Sequence, residues 1–295
     1  MNFKDWLVSK NTTIIFQYNI TDDCNLKCNH CNVGCDVVQN PFYVELNQFK
    51  TDMKRLKQII QSNKHNLSFH ISLLGGEPLL HPDLVEMISF SRNLFKDLNI
   101  SIDVITNGIN LLNMPNAFYY EMQKENTFIV ITKFPININY NIINKELKNL
   151  HIKHSYMGEL LNDWNFQDDY IENTKTIKFA VVEVSKEKQD CNIRKCLSNQ
   201  FKDRVNIYPT IYKDKIFTCP PKIGQYIKNQ LQFSPQKDYN FTRGLKENNF
   251  KGDYSLLKDL ENIDDFLSFV ENDTFCSHCH CLGQVEWSSI NFKSL

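Results

Sequence analysis

From residue 12 to residue 185 the chain repeats one rhythm: a short β-branched or aromatic run, a polar loop, then a longer amphipathic run. TTIIFQYNI (12–20), LSFHISLL (67–74), ISIDVIT (100–106), FIVITKF (128–134) and IKFAVVEVS (177–185) read as strands. Between them FKTDMKRLKQIIQS (49–62) places Phe49, Met53, Leu56, Ile59 and Ile60 on one helical face, and LVEMISFSRNLF (84–95) and YNIINKELKNL (140–150) do the same with their own apolar residues. His81-Pro82-Asp83 suits the start of the second helix. Strands separated by helices imply βαβ units and a parallel sheet. A parallel sheet holds its ligands at the carboxyl ends of its strands, so the loops that follow strands matter most.

Past residue 190 the rhythm stops. VNIYPTIYKDKIFTCPP (205–221) reads as a hairpin turning at Lys213-Asp214, and helical segments are expected near 254–260 and 263–272. The expected division is a main domain at 1–189 and a smaller appended module at 190–295.

Three strand-following loops stand out: CNLKCNHC (24–31), GGEP (75–78) and TNG (106–108). All three are expected on one rim. The first carries Cys24, Cys28 and Cys31, with Cys35 four residues further on. The ten cysteines fall in two groups, and the stretch 36–190 contains none. Small core hydrophobes would be spread more evenly.

The compartment bears on those thiols. The N-terminal MNFKDWLVSKNTTIIF is broken by charges and has no signal-peptide core, and no run is long enough to span a membrane. A cytoplasmic protein is therefore expected, and in a reducing compartment clustered cysteines bind metal or carry redox chemistry rather than form disulfides. With 33 basic and 34 acidic residues the chain has no global field to recruit nucleic acid or anionic lipid.

Thiolates at CxxxCxxC spacing on one loop suit an iron–sulfur cube with one iron left open. With Cys35 as a fourth thiol, a fully ligated cluster or a zinc knuckle stays open as an alternative. GGEP and TNG, each taken alone, are no more than tight turns.

In combination, CNLKCNHC, GGEP and TNG, in that order at successive strand ends, resemble the radical S-adenosylmethionine superfamily. The resemblance implies a partial (β/α)6 barrel, an α/β fold of TIM type, whose first loop binds a [4Fe–4S] cluster through Cys24, Cys28 and Cys31. His30 takes the place usually held by an aromatic residue. S-adenosylmethionine chelates the fourth iron, Gly75, Gly76 and Pro78 admit it closely, Glu77 helps hold its amino group, and Thr106, Asn107 and Thr132 lie beside it. An electron donor such as flavodoxin or ferredoxin is the implied partner.

The distal cysteines resemble the twitch and SPASM auxiliary domains of that superfamily. Cys196, Cys219, Cys276 and Cys279 would then hold a second [4Fe–4S] cluster, although Asp214 stands where the family's turn usually has Gly, and zinc is the plainer alternative. Cys35, Cys191 and Cys281 are left over, as spare thiols or as hydrogen-atom donors to a substrate radical.

Two enzymatic readings follow from the resemblance, since one fold hosts many reactions. One is oxidation of a sugar or aminocyclitol alcohol, the auxiliary cluster taking the second electron. The other is epimerisation or cross-linking of a ribosomally made peptide, which the short segment before the first strand, too short for a leader-binding domain, makes the weaker expectation. A non-catalytic iron–sulfur or zinc protein is the third reading, and the intact motifs argue against it.

Overall fold

A computed structural model describes residues 1–28, 31, 33–36, 38–134, 136–156, 205–219, 223, 226 and 254–272, and the backbone of 178–184 and 279–286. Among them the strands are β1 (Thr13–Thr21), β2 (Ser68–Gly75), β3 (Ser101–Thr106), β4 (Thr127–Ile131), β5 (His154–Tyr156), β6 (Lys178–Val184), β7 (Asn206–Ile207), β8 (Thr210–Tyr212), β9 (Lys215–Phe217), β10 (Ser255–Leu256) and β11 (Cys279–Glu286). The helices are α1 (Phe3–Ser9), α2 (Leu46–Gln61), α3 (Leu84–Phe95), α4 (Asn116–Met122), α5 (Tyr140–Asn149) and α6 (Ile263–Glu271).

The main sheet runs β10-β9-β8-β1-β2-β3-β4-β5, with β7 also on β1. Strands β1 to β4 are parallel neighbours, as the rhythm predicts, and β5, which the rhythm does not mark, continues them in parallel. The hairpin turns at Lys213-Asp214 as expected, with Lys213 at φ 49°. Its first strand pairs in parallel with β1, so the segment 205–217 extends the same sheet.

The run 177–185 is a strand, but β6 does not continue the parallel order. It pairs antiparallel with β11, from Cys279↔Val184 to Glu286↔Lys178, in a separate two-stranded sheet. Local periodicity identifies a strand without choosing its partner, and here that partner lies far along the chain.

Successive side chains of a strand face opposite ways. Ile14, Phe16, Tyr18 and Ile20 of β1 are all buried and join one core with Phe49, Met53, Leu56 and Ile59 of α2. Tyr18 meets Phe49 edge-on at 5.0 Å, and its hydroxyl donates to Asp52. Phe16 meets Phe266 of α6 at 5.3 Å, and α6 starts with a capping box between Asn262 and Asp265. The alternate face of β1 carries Gln17 and Asn19, and it is polar.

Candidate active site

β1 ends at Thr21, and the chain then runs through the cysteine loop and returns beside its own end. Val44 N–H donates to Ile20 O at 2.9 Å, and Thr21 Oγ1 donates to Phe42 O at 2.8 Å. Asp22 holds the return: one carboxylate oxygen accepts from Phe42 N–H at 2.5 Å and the other from Tyr212 Oη at 2.7 Å. Tyr43 Oη donates to Asp23. The loop is thus tied at its base to both β1 and β8.

The GGEP loop docks directly on that base. Gly76 N–H donates to Thr21 O and Glu77 N–H to Asp23 O, each at 2.7 Å. A Cβ at residue 75 would lie 2.1 Å from Thr21 O, and one at residue 76 would lie 2.0 Å from Asp23 O. Backbone cannot yield as a flexible side chain can, so glycine is the residue that permits this approach.

Glu77 is fully buried and ties the second loop to the third. Its Oε1 accepts from Thr106 Oγ1 at 2.7 Å and Leu79 N–H at 3.0 Å, and its Oε2 accepts from Asn107 N–H at 2.8 Å. Burial raises its carboxyl to about 7 against the pull of those donors. Asn107 Nδ2 then donates to Asn25 Oδ1 at 2.7 Å, inside the cysteine loop. Thr132 N–H donates to Thr106 O at 2.8 Å just past β4. The three motifs therefore form one hydrogen-bonded rim.

The thiols sense one another across it. Burial raises the Cys24 thiol strongly, and Glu77, Cys31 and Cys28 raise it further, opposed by Leu26 N–H, which donates to Cys24 Sγ at 3.4 Å. A hydrogen bond from Cys35 lowers Cys31 to about 7 despite burial, and raises Cys35 in turn. Lys27 Nζ donates to Cys35 O at 3.0 Å. Among the described residues, no three His, Cys, Asp or Glu side chains are drawn together tightly enough to hold a metal ion. The donor set still suits one in kind. Cys24 resists ionisation while buried, and Cys31 beside it ionises more readily than a free thiol; a cationic centre would hold such thiols as thiolates.

His30, Cys191, Cys196 and Cys276 lie outside the described residues, and only the backbone of Cys279 and Cys281 is described, within β11. Cys219 follows β9 and is partly buried. Four residues of the rim escaped the sequence reading: Asp22, Asn25, Tyr43 and Tyr212. The Asp22-Asp23 pair closing a strand just before a cysteine loop was the available signal.

Comparison with known families settles what the rim belongs to. The family model described as the Radical SAM superfamily matches residues 18–157, a range holding Cys24, Cys28, Cys31, Gly75–Pro78 and Thr106–Asn107. Residues 18–157 are a radical SAM domain. Within it the chain is similar to a 7-carboxy-7-deazaguanine synthase of Clostridium acetobutylicum, 27% identical over 127 residues, 42% of this chain and 52% of the relative. It is also similar to a PqqA peptide cyclase of Gluconobacter oxydans, 29% identical over 96 residues, 32% of this chain and 24% of that protein. The chain thus spans about half the length, or less, of these curated relatives, which are enzymes. Among solved structures, BtrN in complex with AdoMet and 2-DOIA is similar at a TM-score of 0.48 and 12% identity, covering 91% of this chain and 93% of that one. No described helix is long and apolar enough to cross a membrane.

Proposed function

We propose that this chain is a radical SAM enzyme that oxidises a small sugar- or aminocyclitol-type molecule. The observation that carries the reading is the closed rim: Glu77 N–H on Asp23 O, Asn107 N–H on Glu77, and Asn107 Nδ2 on Asn25 bind the cysteine, GGEP and TNG loops together. Cys24, Cys28 and Cys31 would hold a [4Fe–4S] cluster. Gly75, Gly76, Pro78, Thr106, Asn107 and Thr132, with His30, would line S-adenosylmethionine. When bound, these groups supply reductive cleavage to a 5′-deoxyadenosyl radical, which takes a hydrogen atom from the substrate.

The residues of the rim have their own tasks. Glu77 is engaged by three donors, and a carboxylate has about four acceptor sites, so it orients the two loops and keeps one site for a further donor such as an amino group. Gly75 and Gly76 let backbone approach backbone, which fixes the cysteine loop over the strand ends. The sheet is read as the wall of a partial (β/α)6 barrel. Residues 190–295 are read as an auxiliary module, Cys196, Cys219, Cys276 and Cys279 holding a second [4Fe–4S] cluster that takes the substrate's second electron. A flavodoxin- or ferredoxin-like donor would deliver the first electron, in the cytoplasm.

The peptide cyclase among the relatives favours a second reading, modification of a ribosomally made peptide. Anaerobic reconstitution distinguishes the outcomes. About four irons per chain with one cluster, or about eight with two, and release of 5′-deoxyadenosine under dithionite support the assignment. Zinc without charge-transfer absorption overturns it. Deuterium passing into 5′-deoxyadenosine from a labelled polyol, and not from a labelled peptide, separates the substrates.

A further inference from the structure

Hydrogen-bonded strand register places a set of polar side chains on the sheet face turned away from α2. Gln17 pairs with Ser72 and Thr210, Ser72 with Asp103, Asn19 with Leu74 and Tyr212, and Val130 with Ser155. Residues at matched positions of parallel strands point the same way. Parallel sheets are usually apolar on both faces, so this face is a departure that needs a cause.

The departure is sharper in its hydrogen bonding. Asn19 is 0% exposed, and neither its Nδ2 nor its Oδ1 has a partner. Asp103 is 4% exposed; its Oδ2 meets His70 Nε2 at 2.8 Å, while its Oδ1 has no partner, and neither does Ser155 Oγ. Each orphaned buried group carries an uncompensated desolvation cost, which proteins tolerate where a ligand or ordered water supplies the missing bond.

We infer that this face binds a hydroxyl- or amino-rich small molecule lacking phosphate, with Asn19 and Asp103 as the recognising side chains. Two of the four orphaned atoms, Asn19 Oδ1 and Asp103 Oδ1, only accept, one only donates, and Ser155 Oγ does either. The ligand must therefore present donors. A hydroxyl serves every one of these atoms, and an amino group is drawn further by the Asp103 carboxylate. Among the described residues, strands β1 to β5, β7 and β8 contain no Lys or Arg, and His70 on this face is already engaged by Asp103, so these strands offer no permanent cation to a phosphate or carboxylate. The inference rests on the proposed function and narrows its substrate class.

The test uses the full chain, reconstituted anaerobically, with binding read by ligand-observed NMR. Glucosamine and myo-inositol are expected to bind, glucose 6-phosphate at least ten-fold more weakly. Asn19→Leu and Asp103→Asn should each weaken the first two at least ten-fold, and Asn19→Leu should unfold at a temperature no lower than the wild type because it removes the orphaned amide. Ser155→Ala gives a third, conservative variant that should also weaken binding. Equal binding of the phosphorylated sugar, no binding of either probe, or affinities unchanged in all three variants would overturn the inference; the last two are what ordered water alone would produce. Iron content and cofactor cleavage, measured on the same wild-type preparation, judge the proposed function separately: both failing while sugar binding persists would sink that reading and leave this face standing.

Discussion

Glu77, in the loop after β2, and Thr106, the last residue of the neighbouring β3, meet at 2.7 Å in a wholly buried hydrogen bond, Thr106 Oγ1 donating. The same threonine oxygen accepts Gly108 N–H at 3.0 Å, so the contact also shapes the turn after β3. Two motifs that read as separate turns are thereby one mechanical unit.

Replacing Glu77 with Gln tests that unit. The amide turns an NH2 toward one of the donors that now face the carboxylate, leaving it unpaired at a cost of about 1–3 kcal/mol near pH 5. The pH dependence has a definite sign. A carboxyl held at about 7 in the fold and near 4.5 in the unfolded chain binds more protons when folded, so its contribution is largest below pH 4.5 and declines as pH rises to about 7. Urea unfolding between pH 5 and 8 should show that decline in the wild type and a flatter profile in Glu77→Gln.

Gly76→Ala should be among the most damaging single-methyl changes in the chain. Its Cβ would lie 2.0 Å from Asp23 O and 2.9 Å from Cys24 Cβ, so the cysteine loop itself has to move. A loss of about 1–3 kcal/mol or more is expected in denaturant unfolding, together with reduced iron uptake. Wild-type stability with wild-type iron content would mean that the close approach is not real.

Single Cys24→Ala, Cys28→Ala and Cys31→Ala variants should each lose the iron of the first site and all release of 5′-deoxyadenosine. Cys35→Ala should keep the iron if Cys35 is a neighbour of Cys31 rather than a ligand. Iron analysis and absorption near the charge-transfer bands decide this without a substrate.

Two contacts of α6 should differ widely in weight. Asp264 pairs with Lys4 and with His65 at 2.8 Å, but it is only half-buried, and Asp264→Ala should cost under about 1 kcal/mol, less at high salt. Phe266 is fully buried against Phe16, and Phe266→Ala should cost about 3–5 kcal/mol. If α6 is integral to the β1 core, that loss appears in the main unfolding transition rather than in a separate early one.

Much of this was legible in the residues because it is local. The 3.6-residue spacing of Phe49, Met53, Leu56 and Ile60 marks α2, and Lys213-Asp214 marks the hairpin turn. β5 is only three residues long and carries no periodicity to read, and α1 was passed over within a charge-broken segment. The partners of β6 and β8 are set by contacts distant in sequence, which no window contains. In the site, cysteine spacing and paired glycines carry their own signal. Asn19 and Asp103 did not, because each sits inside a β-branched run, where only the register of neighbouring strands shows that Gln17, Ser72 and Asp103 share a face.

The pairing of β7 and β8 with β1 also sets an order of events during synthesis. β1 leaves the ribosome well before residues 206–212, yet those residues complete one of its edges. Until then a nine-residue strand presents unpaired peptide groups to whatever passes. Closing that edge requires a contact between segments about 190 residues apart, such as Gln17 and Thr210, the kind of long-range step that slows folding and exposes intermediates to aggregation. A nascent chain truncated before residue 205 is therefore expected to need holding by chaperones, while one extended past residue 217 can close that edge of β1.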